Sequence, residues 1–141
     1  MQTFLPYPDF HASSHVLDRQ RLGKQRVEVL QILRALTDPD YGWQNHPAVQ
    51  MWKGYEQALV LYGIAVCLEW TGRGYKDTCM EKIAAYGAAQ AAEWPPWLGG
   101  PIHSSHRAAL LHKDPEHYSR FGWSEEPVLD YVWPLKGVSG G

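Results

Sequence analysis

The segment from Leu17 to Leu36 restricts the fold of this chain more than any other, because its apolar residues recur with the period of an α-helix. At about 100° per residue, one stripe of this helix is aliphatic and typical of a core face: Leu22, Val29, Leu33 and Leu36. A second stripe is charged: Arg21, Lys24 and Glu28. The segment predicts an amphipathic helix over residues 16–36, preceded by an ordered loop whose Ser13 and Ser14 are candidate helix caps.

Three more helices are predicted further along the chain. Pro47 suits the first position of a second helix, which bulky side chains at spacings of three and four continue for roughly 25 residues to Gly72. A capping box from Thr78 to Glu81 starts a third helix, which ends near Glu93 before two prolines. A shorter helix is expected over residues 105–113.

The chain shows no strand alternation, so we expect an all-α fold. Residues 1–136 are expected to form one compact domain of three main helices and a short fourth, with long ordered loops. The N-terminal segment is expected to pack near the first helix, and Tyr131, Val132 and Trp133 are expected to pack back on the body. Residues 137–141 are expected to form a flexible tail.

The composition limits the classes of protein that fit. The formal net charge is −2, so any binding to nucleic acid must depend on local patches. No apolar run reaches the ~18 residues that cross a membrane, and the start lacks the regions of a signal peptide. We therefore expect a cytoplasmic protein with no membrane partner. Two cysteines, Cys67 and Cys79, do not make a disulfide framework and are expected as buried thiols.

The charged stripe of the first helix has two interpretations. Lys24 and Glu28 are four residues apart, and such pairs on a solvated helix face are common and contribute only about 0.3–0.5 kcal/mol. Against this, the segment around Glu28 has five basic and two acidic residues within a chain that is net negative. Such a patch can hold phosphates while the carboxylate acts on a sugar or a base.

Histidines mark two other candidate sites. Asn45 and His46 precede a predicted helix start, where an imidazole is either a cap or part of an anion-binding site. His103 and His106 have a spacing that can ligate zinc, but no well-placed third ligand accompanies them, so we expect no metal site. Together with Arg107, Lys113 and Tyr118, they fit a polar binding surface better.

Three segments in order give the chain a resemblance to a known family. They are LDRQRLGKQRVEVLQIL, then NHPAVQMW with CLEWTGRGYKDT, and then IHSSHRAALLHKDPEHY. In these segments the chain resembles the pyrimidine-dimer DNA glycosylases, the family of the phage-type endonuclease V. The resemblance covers residues 1–36, 45–78 and 102–118, and the start MQTFLPYPDF resembles a bacterial branch of the family.

The resemblance implies a compact helical enzyme, expected as a monomer, that binds duplex DNA, extrudes a damaged or modified nucleotide and cleaves its glycosidic bond. In the family a free N-terminal α-amine attacks the sugar C1′ and forms a Schiff base, with abasic-site lyase activity, and the aligned glutamate is Glu28. This chemistry requires no metal or organic cofactor. The implied DNA contacts are Arg21, Gln25, Arg26, Asn45, His46, His103, His106, Lys113 and Tyr118.

One departure from the family leaves the identity of the nucleophile open. Residue 2 is Gln rather than a small residue, so the initiator Met1 is expected to be retained. Either the Met1 α-amine attacks, or Lys24 attacks with a lowered pKa, or Glu28 activates water. A free α-amine titrates at about 7.7–8.0 and a free lysine at about 10.4, so the α-amine is the more readily neutral of the two.

Two further departures keep other functions open. Val27 stands where the family has an arginine, and the C-terminal part is acidic through Glu125, Glu126 and Asp130. One alternative is therefore a non-catalytic nucleic-acid-binding module, which predicts salt-sensitive binding without cleavage. A small-molecule or nucleotide-processing enzyme is another alternative, and it predicts no salt-sensitive affinity for DNA.

Overall fold

The computed structural model describes residues 1–87 and 92–134, and within these ranges the chain is all-helical, as predicted. The described α-helices are α1 (Phe10–Val16), α2 (Arg19–Thr37), α3 (Pro47–Gln50), α4 (Glu56–Gly72), α5 (Met80–Ala84), α6 (Ile102–Lys113) and α7 (Pro115–Tyr118). A 3₁₀ turn, Ser119–Phe121, follows α7. None of the described helices is long and apolar enough to cross a membrane. The predicted tail, 137–141, lies outside the described residues.

The core is built around α4, which packs against α1, α2 and α5. Gly63 permits the closest approach, because a Cβ at this position would lie 2.7 Å from Val29 Cγ1 and 3.0 Å from Ile83 Cγ2. The aliphatic stripe predicted for α2 is buried at Leu22, Val29 and Leu33, while Leu36 is half-buried. The charged stripe of α2 therefore faces away from α4, toward the N-terminal segment (residues 1–8).

The first helix differs from its prediction because two aspartates divide it. Asp9 accepts a hydrogen bond from Ala12 N–H at 2.8 Å and starts α1 within the predicted loop. Asp18 accepts one from Arg21 N–H and starts α2. The predicted serine caps are wrong, since Ser13 and Ser14 are buried inside α1, where Ser13 Oγ bonds to the backbone of Tyr7.

Two other predicted helices are shorter in the structure. The second helix is interrupted at Gly54, whose φ of +89° belongs to the left-handed region, so α3 and α4 are separate. The predicted capping box of the third helix is absent, and Asp77 instead accepts from the N–H groups of Cys79 and Met80. Helix α5 ends at Ala84, and residues 88–91 lie outside the described part of the chain.

The end of the described chain packs back on the body, as predicted. Helix α6 is longer than expected, and it is followed by α7, which the sequence did not predict. Residues 122–134 then run without regular structure. Tyr131 and Trp133 are half-buried against the core, and Val132 N–H donates to Ser105 Oγ at 3.1 Å.

Candidate functional site

A cleft of about 420 Å³ brings together many of the polar residues predicted from the sequence. Its walls come from the N-terminal segment, the charged face of α2, the end of α6 and the chain after α7. Six predicted site residues line it: Met1, Arg21, Lys24, Gln25, Glu28 and Lys113. Two larger clefts on the described surface, of about 500 and 770 Å³, are lined mainly by apolar side chains.

Glu28 is the buried carboxylate of this cleft, with 7% of the residue exposed. Its Oε2 accepts a hydrogen bond from Gln25 Nε2 at 2.9 Å and a longer one from Gln2 N–H at 3.4 Å. The other oxygen, Oε1, lies 3.7 Å from Lys24 Nζ. One oxygen is thus fixed by neutral donors, while the other is paired only with a side chain that is 74% exposed.

Gln25 connects the N-terminal segment to Glu28. This side chain is 1% exposed, and its Nε2 donates to Gln2 O at 2.7 Å as well as to Glu28. Its Oε1 accepts from Phe4 N–H at 3.0 Å and from the Tyr62 hydroxyl at 2.7 Å. A buried backbone segment outside helices needs such side-chain partners. Gln25 therefore sets the distance between the chain's first residues and the carboxylate.

His103 and His106 hold the same segment from its other side, rather than lining the cleft. His106 Nδ1 accepts from Leu5 N–H at 2.9 Å, and His103 Nδ1 donates to Leu5 O at 2.7 Å. His103 Nε2 accepts from Gly99 N–H at 2.8 Å, so both of its ring nitrogens are used. No group of three or more potential metal ligands occurs in the described residues. Both histidines thus position residues 4–6.

Burial keeps these two imidazoles neutral. Desolvation is the largest cause of a lowered pKa at both positions, and it brings the pKa of His106 to about 3. The hydrogen bond to Leu5 opposes the decrease at His103. The neutral form of His106 suits its acceptor role, because a proton on Nδ1 would face the N–H of Leu5.

His46 fulfils the first of the two roles considered from the sequence, that of a helix cap, and its part in an anion-binding site stays a prediction. Its Nδ1 accepts from Ala48 N–H at 3.0 Å and caps α3. Burial lowers the pKa of His46, the N-terminal ammonium group lowers it further, and the Glu28 carboxylate opposes both. The ring therefore lies within electrostatic reach of the Met1 amine and of Glu28. Asn45, next to it, is exposed.

The remaining predicted residues divide into two groups. Arg21 and Lys113 line the cleft, and Arg21 also pairs with Asp18 at 3.1 Å. Arg26 does not line it, because its guanidinium pairs with Asp77 and stacks 4.5 Å from the Trp70 ring. Tyr118 is also remote from the cleft lining. It is fully buried, and its hydroxyl donates to Asp18 Oδ1 and accepts from Asp18 N–H.

Tyr131 is a cleft residue that the sequence did not indicate. Its ring lies 6.4 Å from that of Phe4 and 5.7 Å from that of His106. Burial raises the pKa of Tyr131, and this residue lines the cleft together with Arg21 and Glu28. It belongs to a segment without helical or strand periodicity, so only its aromatic character and the expectation of packing pointed to it.

A comparison with protein families gives a match over the first two thirds of the chain. The model of a family described as pyrimidine dimer DNA glycosylase matches residues 1–94. This range contains the N-terminal segment, Glu28 and His46, and it ends before α6. Comparisons with curated proteins and with solved structures gave no match.

Proposed function

We propose that this chain, which belongs to the pyrimidine dimer DNA glycosylase family, removes a damaged pyrimidine from DNA through a covalent intermediate on its N-terminal amine. One observation carries the proposal: Met1 and the buried Glu28 line the same cleft, where the side chain of Gln25 joins the carbonyl oxygen of Gln2 to Glu28. An amine and a carboxylate in one cleft are what glycosidic-bond cleavage through a Schiff base requires.

The α-amine of Met1 is the better supported nucleophile. Gln2 N–H points at Glu28 Oε2, so the amine lies only one residue from the carboxylate. Lys24 is 74% exposed and lies 3.7 Å from Glu28 Oε1. Lys24 Nζ forms an ion pair with Glu28, and an ammonium group in an ion pair has no lone pair with which to attack.

The Met1 amine and the Glu28 carboxylate have different roles in the proposed reaction. The amine lone pair attacks the sugar C1′, the C1′–N bond breaks, and the base leaves with the bonding electrons and takes up a proton. Loss of the proton from nitrogen and opening of the sugar ring give a Schiff base. In the lyase step, Glu28 accepts the C2′ proton and the 3′ phosphate leaves, after which water releases the amine.

Arg21 and Lys113 are the proposed phosphate contacts. Both line the cleft around Glu28, and cations at its mouth would hold the strand while the nucleotide enters. Since the chain has a formal net charge of −2, this attraction is local. We propose His46 and Asn45 as further contacts, because His46 lies within reach of the charges of Met1 and Glu28.

The test is single-turnover cleavage of a duplex that carries one cyclobutane pyrimidine dimer. Glu28→Gln preserves the size of the side chain and removes the base, so its rate should fall by about 10²–10⁴-fold. Glu81→Gln is the control, because Glu81 is an exposed carboxylate on α5. Full activity of Glu28→Gln would overturn the assignment. Salt-sensitive binding by the wild-type protein without cleavage of the dimer or of an abasic site would instead identify a binding module.

A further inference from the structure

Trp43, in the connection between α2 and α3, combines two unusual properties. Its φ is +71°, the only positive φ at a non-glycine position in the described residues. Bulky side chains disfavour this left-handed region, and they adopt it where the surrounding structure forces them to. Trp43 is also 60% exposed, so burial of the indole does not explain the strained backbone.

The backbone on both sides of Trp43 is held by hydrogen bonds. Trp43 O accepts from His46 N–H at 2.9 Å, which closes the turn into α3. The side chain of Gln44 donates to Asp38 O at 2.7 Å, and Gln50 Nε2 donates to Gln44 O. These hydrogen bonds fix the backbone of the turn and with it the direction of the Trp43 Cα–Cβ bond.

A chain of rings connects Trp43 to the cleft. Its ring centroid lies 6.0 Å from that of His46, and His46 lies 6.2 Å from Trp133. Trp133 in turn lies 5.6 Å from Tyr131, which lines the cleft beside Glu28. Trp43 is the exposed end of this chain of rings and does not itself line the cleft.

We propose that Trp43 is a wedge that enters the DNA base stack and occupies the space that an extruded nucleotide leaves. This rests on the proposed function, which requires extrusion. Removing a nucleotide from a duplex costs stacking and pairing, and an inserted apolar side chain restores part of the lost contact. An exposed ring on a turn that hydrogen bonds fix can meet the duplex without rearrangement of the backbone.

Trp43→Ala is compared with Trp94→Ala on a duplex and on a single strand that carry the same dimer. Trp94 is a matched control, because it is 59% exposed but lies in the apolar groove beside Phe10. Loss of one stacked ring should lower the single-turnover rate of Trp43→Ala on the duplex about tenfold or more. The rate on the single strand should change less than about twofold, because no stack has to be opened.

Two further variants separate an effect of Trp43 on the DNA base stack from an effect on the stability of the protein. Trp43→Phe should recover most of the duplex rate, because it restores a ring that can stack. Trp43→Asn should melt at or above the wild-type temperature, since Asn tolerates a positive φ, yet it should be as slow on the duplex as Trp43→Ala. A fluorescent base analogue opposite the dimer should report less opening of the stack with both ring-deficient variants.

The outcomes distinguish the two proposals. Equal duplex rates for Trp43→Ala and wild type, or an equal loss on duplex and single strand, would overturn the wedge and leave the glycosylase proposal intact. The same loss with Trp94→Ala would also overturn it. If the wild-type protein acts on neither substrate, the proposed function is wrong, and so is the wedge that rests on it.

Discussion

Acidification should weaken the N-terminal segment through one residue, His106. In the folded protein burial lowers the pKa of His106 to about 3, from an ordinary value of 6.5. The unfolded chain therefore takes up this proton first as the pH falls. The contribution of neutral His106 is fully present above about pH 6.5 and decreases as the pH drops toward the folded value.

The size of the stability loss follows from the difference between the pKa of His106 in the folded protein and its ordinary value. Each pH unit within this window removes about 1.4 kcal/mol of unfolding free energy, so the loss by pH 5 is about 2 kcal/mol. Protonation would also place a hydrogen on Nδ1, where Leu5 N–H now donates at 2.9 Å. The loss should therefore be accompanied by release of the segment that carries Met1.

Urea unfolding at a series of pH values measures this loss. His106→Gln keeps an acceptor for Leu5 and does not titrate, so its curve serves as the reference. Between about pH 7.5 and pH 5, the wild-type free energy of unfolding should fall by about 2 kcal/mol more than that of the variant. Parallel pH profiles for the two proteins would show that His106 does not cause the loss. His103, whose pKa is also lowered, remains in both proteins and cancels in the comparison.

Three other substitutions test the packing and hydrogen bonding of the fold, each by urea unfolding. Gln25→Leu leaves the buried polar groups of residues 2 and 4 without partners and should cost about 2–4 kcal/mol, with loss of cleavage activity. Gly63→Ala places a methyl group 2.7 Å from Val29 Cγ1 and should cost about 1–3 kcal/mol. Tyr118→Phe removes two hydrogen bonds to Asp18 at the start of α2 and should cost about 1–3 kcal/mol. A cost below about 0.5 kcal/mol at any of these positions would contradict the packing described for it.

The sequence predicted those features of the fold that depend on residues close together in the chain. The all-α class and the two stripes of α2 follow from a period that neighbouring residues reveal. The placement of Glu28 on the charged stripe followed in the same way. Its assignment as the catalytic carboxylate came from the family resemblance and stays a prediction.

The parts that the sequence did not predict depend on distant partners. His103 and His106 bind the backbone of Leu5, about a hundred residues away. Every residue has a peptide group, so the sequence does not show which one a side chain will bind. Arg26 belongs to the basic patch by position, yet Asp77 pairs with it and Trp70 covers it. The N-terminal segment itself has no periodicity, because side chains rather than a helix or sheet satisfy its peptide groups.

The most direct test of the account is borohydride trapping on DNA that contains an abasic site. Intact mass first establishes that Met1 is the N-terminal residue. Reduction should then give a covalent protein–DNA adduct, and peptide mapping should locate it on the Met1 amine. The adduct should vanish after selective transamination of the N-terminal amine and persist in Lys24→Ala. An adduct that survives transamination, or that is lost in Lys24→Ala, would contradict the assignment of Met1 as nucleophile.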